Sequence, residues 1–197
     1  MNSEIKKRIN TGLILFLILF LMFLSKIVYI FISMVIFVLS FIEFSKMTKR
    51  IFKNKIFKFL LINFVFLFYL FLFLLFFIIS VNDIQLKIIL FTILLICSAS
   101  DIGGIIFGKT FKGPKLTKIS PNKTLVGSLG SVILSAFISI ILLKYLYHTS
   151  VTQSILLGII ISFSIQIGDL FFSYIKRKSS IKNTGNILPG HGGILDR

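Results

Sequence analysis

The sequence predicts an all-α fold, namely a polytopic integral membrane protein with about six transmembrane helices and a functional site formed by cytoplasmic loops. Its mean hydropathy is +1.03. Only 14% of the 197 residues are charged, against about a quarter in a typical soluble domain. Residues 59–82 form one uncharged run of 24 residues, and ~20 are enough to cross a bilayer as a helix. The basic residues lie in short clusters between apolar runs, which is typical of loops that flank a membrane.

Six hydrophobic segments predict the spans, and residues 1–197 are predicted to be a single membrane domain. The segments are about 10–25, 27–45, 59–82, 86–107, 125–147 and 152–175. The first two are short and divided only by Lys26, so we interpret them as a tight helical hairpin that occupies residues 1–58 together with its basic loop. A cleaved signal peptide is the alternative, because basic residues precede the first apolar run. No small-residue cleavage site follows that run, and a second apolar run begins at once.

The basic residues also predict the orientation. With a cytoplasmic start, 19 of the 22 basic residues fall in cytoplasmic segments, in agreement with the positive-inside rule. The other three, Lys26, Lys87 and Lys144, lie near predicted outer helix ends, where a long side chain can reach the interface. We therefore expect a protein of the inner (cytoplasmic) membrane with both termini in the cytoplasm.

Composition argues against two other kinds of protein. The net charge of +16 could indicate a nucleic-acid partner, but such binding needs a basic face on a folded domain, and here the charges lie between apolar runs. We therefore expect no nucleic-acid partner. The one cysteine, Cys97, lies within an apolar segment, so it offers neither a disulfide framework nor a thiolate metal site. We interpret it as a small packing residue.

Three aspartates are the candidate reactive groups. Asp101 lies toward the cytoplasmic end of the fourth segment, Asp169 toward that of the sixth, and Asp196 in the cytoplasmic tail. A carboxylate at the centre of a bilayer costs about 3 kcal/mol, and less near an interface, so intramembrane acids indicate function by default. A helix-end carboxylate paired with a nearby lysine is the structural alternative for any one of them taken alone.

Polar residues form stripes along three of the segments. On the sixth, spacings of 4, 3, 4 and 3 place five of them on one face: Ser162, Gln166, Asp169, Ser173 and Lys176. Such a stripe is expected to face other helices or a watery cavity. On the fifth segment a stripe of small residues is interpreted as close helix packing: Thr124, Ser128, Ser131, Ser135 and Ser139. One face of the fourth carries Cys97, Asp101, Gly104 and Gly108, and the glycines allow a close backbone approach.

Two cytoplasmic stretches, residues 108–127 and 173–197, mix lysines with glycine and proline. Free backbone N–H groups and compact positive charges suit a polyphosphate. Neither stretch is a Walker motif, because the GKT at 108–110 lacks the upstream glycine spacing and follows a membrane helix. Anionic lipid would explain the lysines alone, whereas carboxylates among them indicate a divalent metal. His191 lies between glycines and is predicted to contact phosphate or shape the turn, and His148 is assigned no role. The residues thus predict a membrane site for a nucleotide or phosphorylated lipid with Mg²⁺, and phosphoryl or nucleotidyl transfer.

Longer motifs are more specific. The tail reads Ser173-x-x-Lys176-Arg177, four residues, Lys182-Asn183, and then PGHGGILDR at 189–197. Upstream are SDIGG at 100–104, Lys115-Leu116 followed by ISPNKT at 119–124, and GDLF at 168–171. These motifs closely resemble the signature of the phosphatidate cytidylyltransferases (CDP-diacylglycerol synthases), and the N-terminal hairpin ending near Glu43 resembles the start of that family. The resemblance covers most of the chain and is densest in the signature-bearing region, residues 98–197.

The resemblance implies an activity and residue roles. The family transfers cytidylyl from CTP to phosphatidate and releases pyrophosphate and CDP-diacylglycerol. It implies catalytic roles for Asp169, Asp196, Lys176, Arg177 and His191. It implies substrate binding by Ser120, Lys123, Thr124, Lys182, Gly192 and Gly193. The implied metal ligands are Asp169 and Asp196, with Asp101 as an additional candidate, and the implied cofactor is Mg²⁺, alone or with a second, monovalent or divalent cation. Partners would be CTP, phosphatidate and membrane lipids, and a homodimer is a candidate assembly.

The sequence departs from the family pattern at several places. Asn183, Val126 and Phe172 stand where the family usually has an acid. The middle region is shorter and is expected to lack two or more spans, and the family normally continues beyond the position of Arg197 into a further apolar segment. Three alternatives therefore stay open: a CTP-dependent transferase acting on another membrane lipid, a degenerate non-catalytic membrane protein, and a small transporter with Asp101 and Asp169 as an ion relay.

Overall fold

The computed structural model describes residues 3–117, 120, 123–190 and 192–196, with side chains from residue 10 onward. Across these residues the fold is all-helical, as predicted. Its elements are α1 (Ser3–Leu24), α2 (Lys26–Ile51), α3 (Ile56–Ser80), α4 (Ile84–Phe111), α5 (Leu125–Tyr147), α6 (Val151–Lys178) and a 3₁₀ turn, η1 (Ile194–Asp196). Each of the six predicted hydrophobic segments corresponds to one α-helix.

Five of these helices, α2 to α6, are long and apolar enough to cross a membrane, which makes this a polytopic membrane protein. The apolar part of α1, Asn10–Leu24, is shorter, so a sixth crossing stays a prediction. Ser25 alone separates α1 from α2, and the tight helical hairpin stays a prediction. Ser25 is extended, and its hydroxyl accepts a hydrogen bond from the backbone N–H of Val28 at 3.5 Å, which caps α2.

Several helices continue past the apolar segments that predicted them. Helix α2 runs to Ile51, so Lys49 and Arg50 lie in its last turn rather than in a loop. Helix α4 likewise runs to Phe111, which corrects the predicted loop 108–127 to residues 112–124. Lysine and arginine are good helix formers and interact favourably with the negative end of the helix dipole, so the end of the apolar run does not end the helix.

The described chain divides into two compact units. Met1–Lys87 and Ile175–Arg197 form the first, and Ile88–Tyr174 form the second. In the first unit α2 is central and packs against α1, α3 and η1. The rings of Phe44 and Phe66 stack with centroids 3.8 Å apart. Buried Asn63 donates hydrogen bonds to Thr48 Oγ1 at 2.9 Å and to the carbonyl of Phe59 at 2.8 Å, so the α2–α3 contact also has a satisfied polar centre.

The second unit holds most of α4 and α6 and all of α5. The fully buried Ser135 and Ser139 on α5 donate to the carbonyl oxygens of Gly158 and Ser154 on α6, at 3.0 and 2.6 Å. Small residues that let helix backbones approach are typical of membrane helix packing, so the packing interpretation of the α5 stripe is confirmed at these positions. The predicted close approach of α4 is also confirmed: a Cβ built on Gly104 would lie 2.7 Å from Ser131 Oγ.

Candidate functional site

The basic loop between α4 and α5 folds back on itself. Lys115 and Thr124 form an isolated antiparallel bridge. The backbone N–H of Leu116 donates to the carbonyl of Lys123 at 2.7 Å, and that of Leu125 donates to the carbonyl of Pro114 at 2.9 Å. Because these bonds tie the two ends of the loop together, Lys123 is held at a fixed place beside the first turn of α5.

An ion pair joins this loop to α6 within the second unit. Lys123 Nζ lies 2.5 Å from Asp169 Oδ2, and the two side chains are 31% and 54% exposed. The next residue, Thr124, is the N-cap of α5, and its hydroxyl accepts from the N–H of Gly127 at 3.0 Å. A lysine and a helix N-terminus thus stand together, and both favour negative charge. The structure therefore places Lys123 beside Asp169 and next to the N-cap Thr124, and the substrate and metal roles of these residues stay predictions.

The α6 stripe above Asp169 is occupied by helix contacts. Buried Ser162 shares a hydrogen bond of 2.8 Å with Ser100 on α4, and Gln166 bonds to Ser128 on α5. The stripe thus faces other helices, one of the two environments that its spacing predicts. Asp101 is exposed on α4. Its predicted metal role stays a prediction.

The tail after α6 forms a tight hairpin in the first unit. Leu188 and Gly192 pair as an antiparallel bridge, with N–H to carbonyl distances of 2.8 and 2.9 Å in the two directions. Gly190 and Gly192 have φ values of 76° and 96°, a left-handed conformation that glycine adopts without steric cost. On α1, the Thr11 hydroxyl donates to the carbonyl of Pro189 at 2.7 Å. Turn η1 then brings the chain back toward the end of α6.

Asp196, at the end of this turn, is surrounded by donors. Its Oδ1 accepts from Lys176 Nζ at 2.8 Å, in an ion pair whose side chains are 18% and 8% exposed. Its Oδ2 accepts from the backbone N–H groups of Thr184 at 2.8 Å and Gly193 at 3.0 Å, and lies 3.1 Å from Thr184 Oγ1. Burial raises the pKa of the Asp196 carboxyl, but the hydrogen bonds from Lys176, Gly193 and Thr184 outweigh it and hold the pKa below its usual range. Asp196 is therefore ionised at neutral pH.

A second carboxylate, which sequence reasoning missed, contacts the same hairpin from α2. Glu43 on α2 is 2% exposed and accepts from Thr184 Oγ1 at 2.6 Å, from the N–H of Ile194 at 2.9 Å and from that of Leu195 at 3.0 Å. The available signal was a single acid in a helix whose other charged residues are all basic. From the sequence, Glu43 is only the residue near which the predicted N-terminal hairpin ends.

The remaining predicted residues are distributed around the tail and the basic loop. Arg177 and Lys182 are exposed. Gly193 is buried against the Asp196 carboxylate. Ser120 lies in the basic loop, where its carbonyl accepts from the N–H of Lys123 at 3.1 Å. His191 lies outside the described residues, so its predicted contact with phosphate stays a prediction.

The described residues fit a cation at one of the predicted ligands. Across the described ranges, no group of three or more His, Cys, Asp or Glu side chains is placed to hold a metal ion. Mg²⁺ in phosphate sites is commonly bound by one or two carboxylates together with substrate oxygens and waters. The half-exposed carboxylate of Asp169 suits that arrangement. The two oxygens of Asp196 already accept from protein donors, and binding a cation would require it to exchange at least one of them.

Comparisons with known proteins identify the family of the chain. The cytidylyltransferase family matches residues 9–197. Proteins named phosphatidate cytidylyltransferase are similar over part of the chain. That of Rickettsia prowazekii is 35% identical over 119 residues, which are 56% of this chain and 52% of the relative. That of Helicobacter pylori is 38% identical over 109 residues, which are 53% of this chain and 40% of the relative. That of Rickettsia bellii is 41% identical over 127 residues, which are 60% of this chain and 54% of the relative. The chain spans about half the length of the curated relatives it matches. Because the family match runs through nearly the whole sequence, the chain belongs to the cytidylyltransferase family.

Proposed function

We propose that this protein transfers cytidylyl from CTP to phosphatidate, giving CDP-diacylglycerol and pyrophosphate, as a nucleotidyltransferase of phospholipid biosynthesis. Relatives named phosphatidate cytidylyltransferase support the substrates. The membrane helices support a lipid acceptor, because a phosphatidate remains anchored in the bilayer by its acyl chains. The proposal includes an inner-membrane location with both termini cytoplasmic, which the distribution of basic residues supports.

The observation that carries the proposal is the Lys123–Asp169 pair at the first turn of α5. A lysine beside helix N–H groups attracts the phosphates of a nucleotide, and the adjacent half-exposed carboxylate suits a cation that travels with those phosphates. An exposed pair of this kind contributes little to stability. Lys123 can therefore exchange Asp169 for the phosphates of a metal–nucleotide complex, and Asp169 can exchange Lys123 for its metal ion.

The reaction needs positioning and charge neutralisation more than proton transfer. A phosphate oxygen of phosphatidate attacks the α-phosphorus of CTP, the bond from that phosphorus to the bridging oxygen of the β-phosphate breaks, and pyrophosphate leaves with the electron pair. An ionised phosphate needs no strong general base. Lys123 would hold phosphate oxygens and balance charge on the leaving group. Lys176 keeps its predicted role as a phosphate contact. Bound Mg²⁺ would supply further charge neutralisation, with Asp169 as its protein ligand.

The other predicted roles are retained residue by residue as part of this proposal. Ser120 and Thr124 would contact the nucleotide, and Arg177, Lys182, His191, Gly192 and Gly193 the phosphates. Asp196 and Asp101 remain proposed metal ligands. For Asp196 this role requires that a cation replace Lys176 or one of the tail N–H donors.

The test is an assay of the purified chain with α-labelled CTP, Mg²⁺ and phosphatidate, scored by labelled lipid and by released pyrophosphate. Equal amounts of CDP-diacylglycerol and pyrophosphate are expected. A parallel reaction replaces phosphatidate with a phosphorylated isoprenoid lipid, and transfer to that lipid alone would assign a different acceptor. No labelled lipid from either acceptor, with a folded protein, would overturn the proposal and favour a non-catalytic role.

A further inference from the structure

Glu43 is buried, and a buried carboxylate without hydrogen-bond partners would destabilise the fold. It is 2% exposed on α2. Burying a carboxylate without partners costs far more than a hydrogen bond returns, so buried carboxylates are found with donors around them. Among the residues that the structure describes, three donors contact Glu43, and all come from the tail: the Thr184 hydroxyl and the N–H groups of Ile194 and Leu195.

These three donors are far apart in sequence from Glu43 and lie on both sides of the tail hairpin. Thr184 precedes the Leu188–Gly192 bridge, and Ile194 and Leu195 follow it. Glu43 Oε2 accepts from Thr184 and Leu195, and Oε1 accepts from Ile194. One side chain of α2 thus closes the base of the hairpin and fixes η1, the turn that carries Asp196.

The glycines of the tail leave space for this carboxylate. A Cβ built on Gly185 would lie 2.9 Å from Glu43 Oε1. One built on Gly193 would collide with both Glu43 carboxylate oxygens and with the Thr184 hydroxyl. Two positions in the tail therefore accommodate Glu43 by lacking a side chain, which shows that the tail is shaped around it.

We propose that Glu43 is a positioning residue for the cytidylyl transfer: by holding Thr184, Ile194 and Leu195 it fixes the turn that presents Asp196 and, through Asp196, Lys176. This inference rests on the proposed function. Glu43 touches no reacting group in the proposal, and it acts through the tail. Without the Glu43 carboxylate, Asp196 and Lys176 would still be present but would no longer be held in place.

The test compares Glu43→Gln with Thr184→Val and with a control, Asn63→Leu, at the contact between α2 and α3. The Glu43→Gln side chain keeps one acceptor oxygen and places an NH₂ group against a tail N–H, so at least one hydrogen bond to the tail is lost while side-chain size is kept. Thr184→Val removes a donor to Glu43 from the tail side and leaves α2 unchanged. Asn63→Leu disturbs the polar centre between α2 and α3 but not the tail.

Two measurements are made on each purified variant. Hydrogen exchange of peptides covering residues 184–196 should be at least about tenfold faster in Glu43→Gln and Thr184→Val, and unchanged in Asn63→Leu. In turnover assays with CTP, Glu43→Gln should lower kcat/KM about 10- to 100-fold, the range typical of residues that orient other ligating groups. Asn63→Leu should lower thermal stability and leave the KM for CTP within about twofold.

The two readouts separate the possible failures. If the wild-type protein transfers no cytidylyl, the proposed function fails, and tail exchange still tests whether Glu43 holds the tail. If Glu43→Gln leaves tail exchange at the wild-type rate, the positioning role is wrong. It is equally wrong if tail exchange rises while kcat/KM stays within twofold of wild type, or if Asn63→Leu reproduces both effects.

Discussion

Asp169→Asn is the substitution that best separates a catalytic carboxylate from a structural one. Asparagine keeps the shape of the side chain and an oxygen that can accept from Lys123, but removes the negative charge. In the structure the carboxylate is 54% exposed and its lysine partner 31%. An ion pair with that exposure is screened by solvent, and such pairs contribute about 0–1 kcal/mol to stability. We therefore expect the melting temperature to fall by only a few degrees.

The expected loss of activity is much larger. If Asp169 ligates the cation that travels with CTP, removing its charge weakens stabilisation of the transition state by about 3 kcal/mol or more, which is at least about 100-fold in rate. The assay is kcat/KM for CTP at several Mg²⁺ concentrations, together with thermal unfolding in the same detergent. Asp83→Asn is the matched control, because Asp83 is an exposed carboxylate at a helix start whose Oδ1 caps α4 through the N–H of Gln85 at 2.8 Å. Asparagine caps equally well there.

Two results would refute this reasoning. Near wild-type turnover of Asp169→Asn at saturating Mg²⁺ would show that the charge is not used. A loss of activity that parallels the loss of folded protein, in both Asp169→Asn and the control, would show that the pair is structural.

Three further predictions follow from other parts of the structure. Gly103→Ala should lower stability by about 1–3 kcal/mol, because its Cβ would lie 2.5 Å from the Gly130 carbonyl, whereas Gly12→Ala, with nothing within 4 Å, should not; thermal unfolding compares them. Reporter fusions after Lys58, after Lys123 and at the C-terminus should all read cytoplasmic, and one opposite reading would overturn the predicted orientation. Asn183→Asp should lower the Mg²⁺ concentration for half-maximal activity by less than about fivefold, because the residue is exposed, and an unchanged requirement would show that this position does not sense the metal.

Much of the fold follows from the sequence for a simple physical reason. In lipid every backbone polar group must find a hydrogen-bond partner within the protein. An α-helix provides these partners within a single segment, so long apolar runs predict helices. Uncharged runs such as residues 59–82 therefore located the helices. The helix ends were less predictable, because capping and dipole interactions decide them. Helix α2 continues through Lys49 and Arg50 although its apolar run has ended.

The candidate site was predictable only where its residues are close in sequence or share a helix face. The loop lysines and the α6 stripe fall in this class. The pairing of Lys123 with Asp169 does not, because the two residues are 46 positions apart and lie on different elements. The bonds from Glu43 to the tail span more than 140 residues in sequence. No spacing rule reports a contact of that range, and an isolated acid gives no sign of which donors it will meet.

The two aspartates predicted to be metal ligands differ in how far the fold depends on them. Asp169 makes one ion pair and is half-exposed, so its charge is available to a substrate complex at little cost to the fold. Asp196 is 8% exposed and accepts from Lys176, Thr184 and Gly193. Removing its carboxylate would leave several buried donors unpaired, each at about 1–3 kcal/mol. Loss of activity in an Asp196 variant could therefore come from disruption of the tail as well as from loss of a metal ligand. Loss in an Asp169 variant would come from removal of the carboxylate charge. For this reason the metal hypothesis is decided at Asp169.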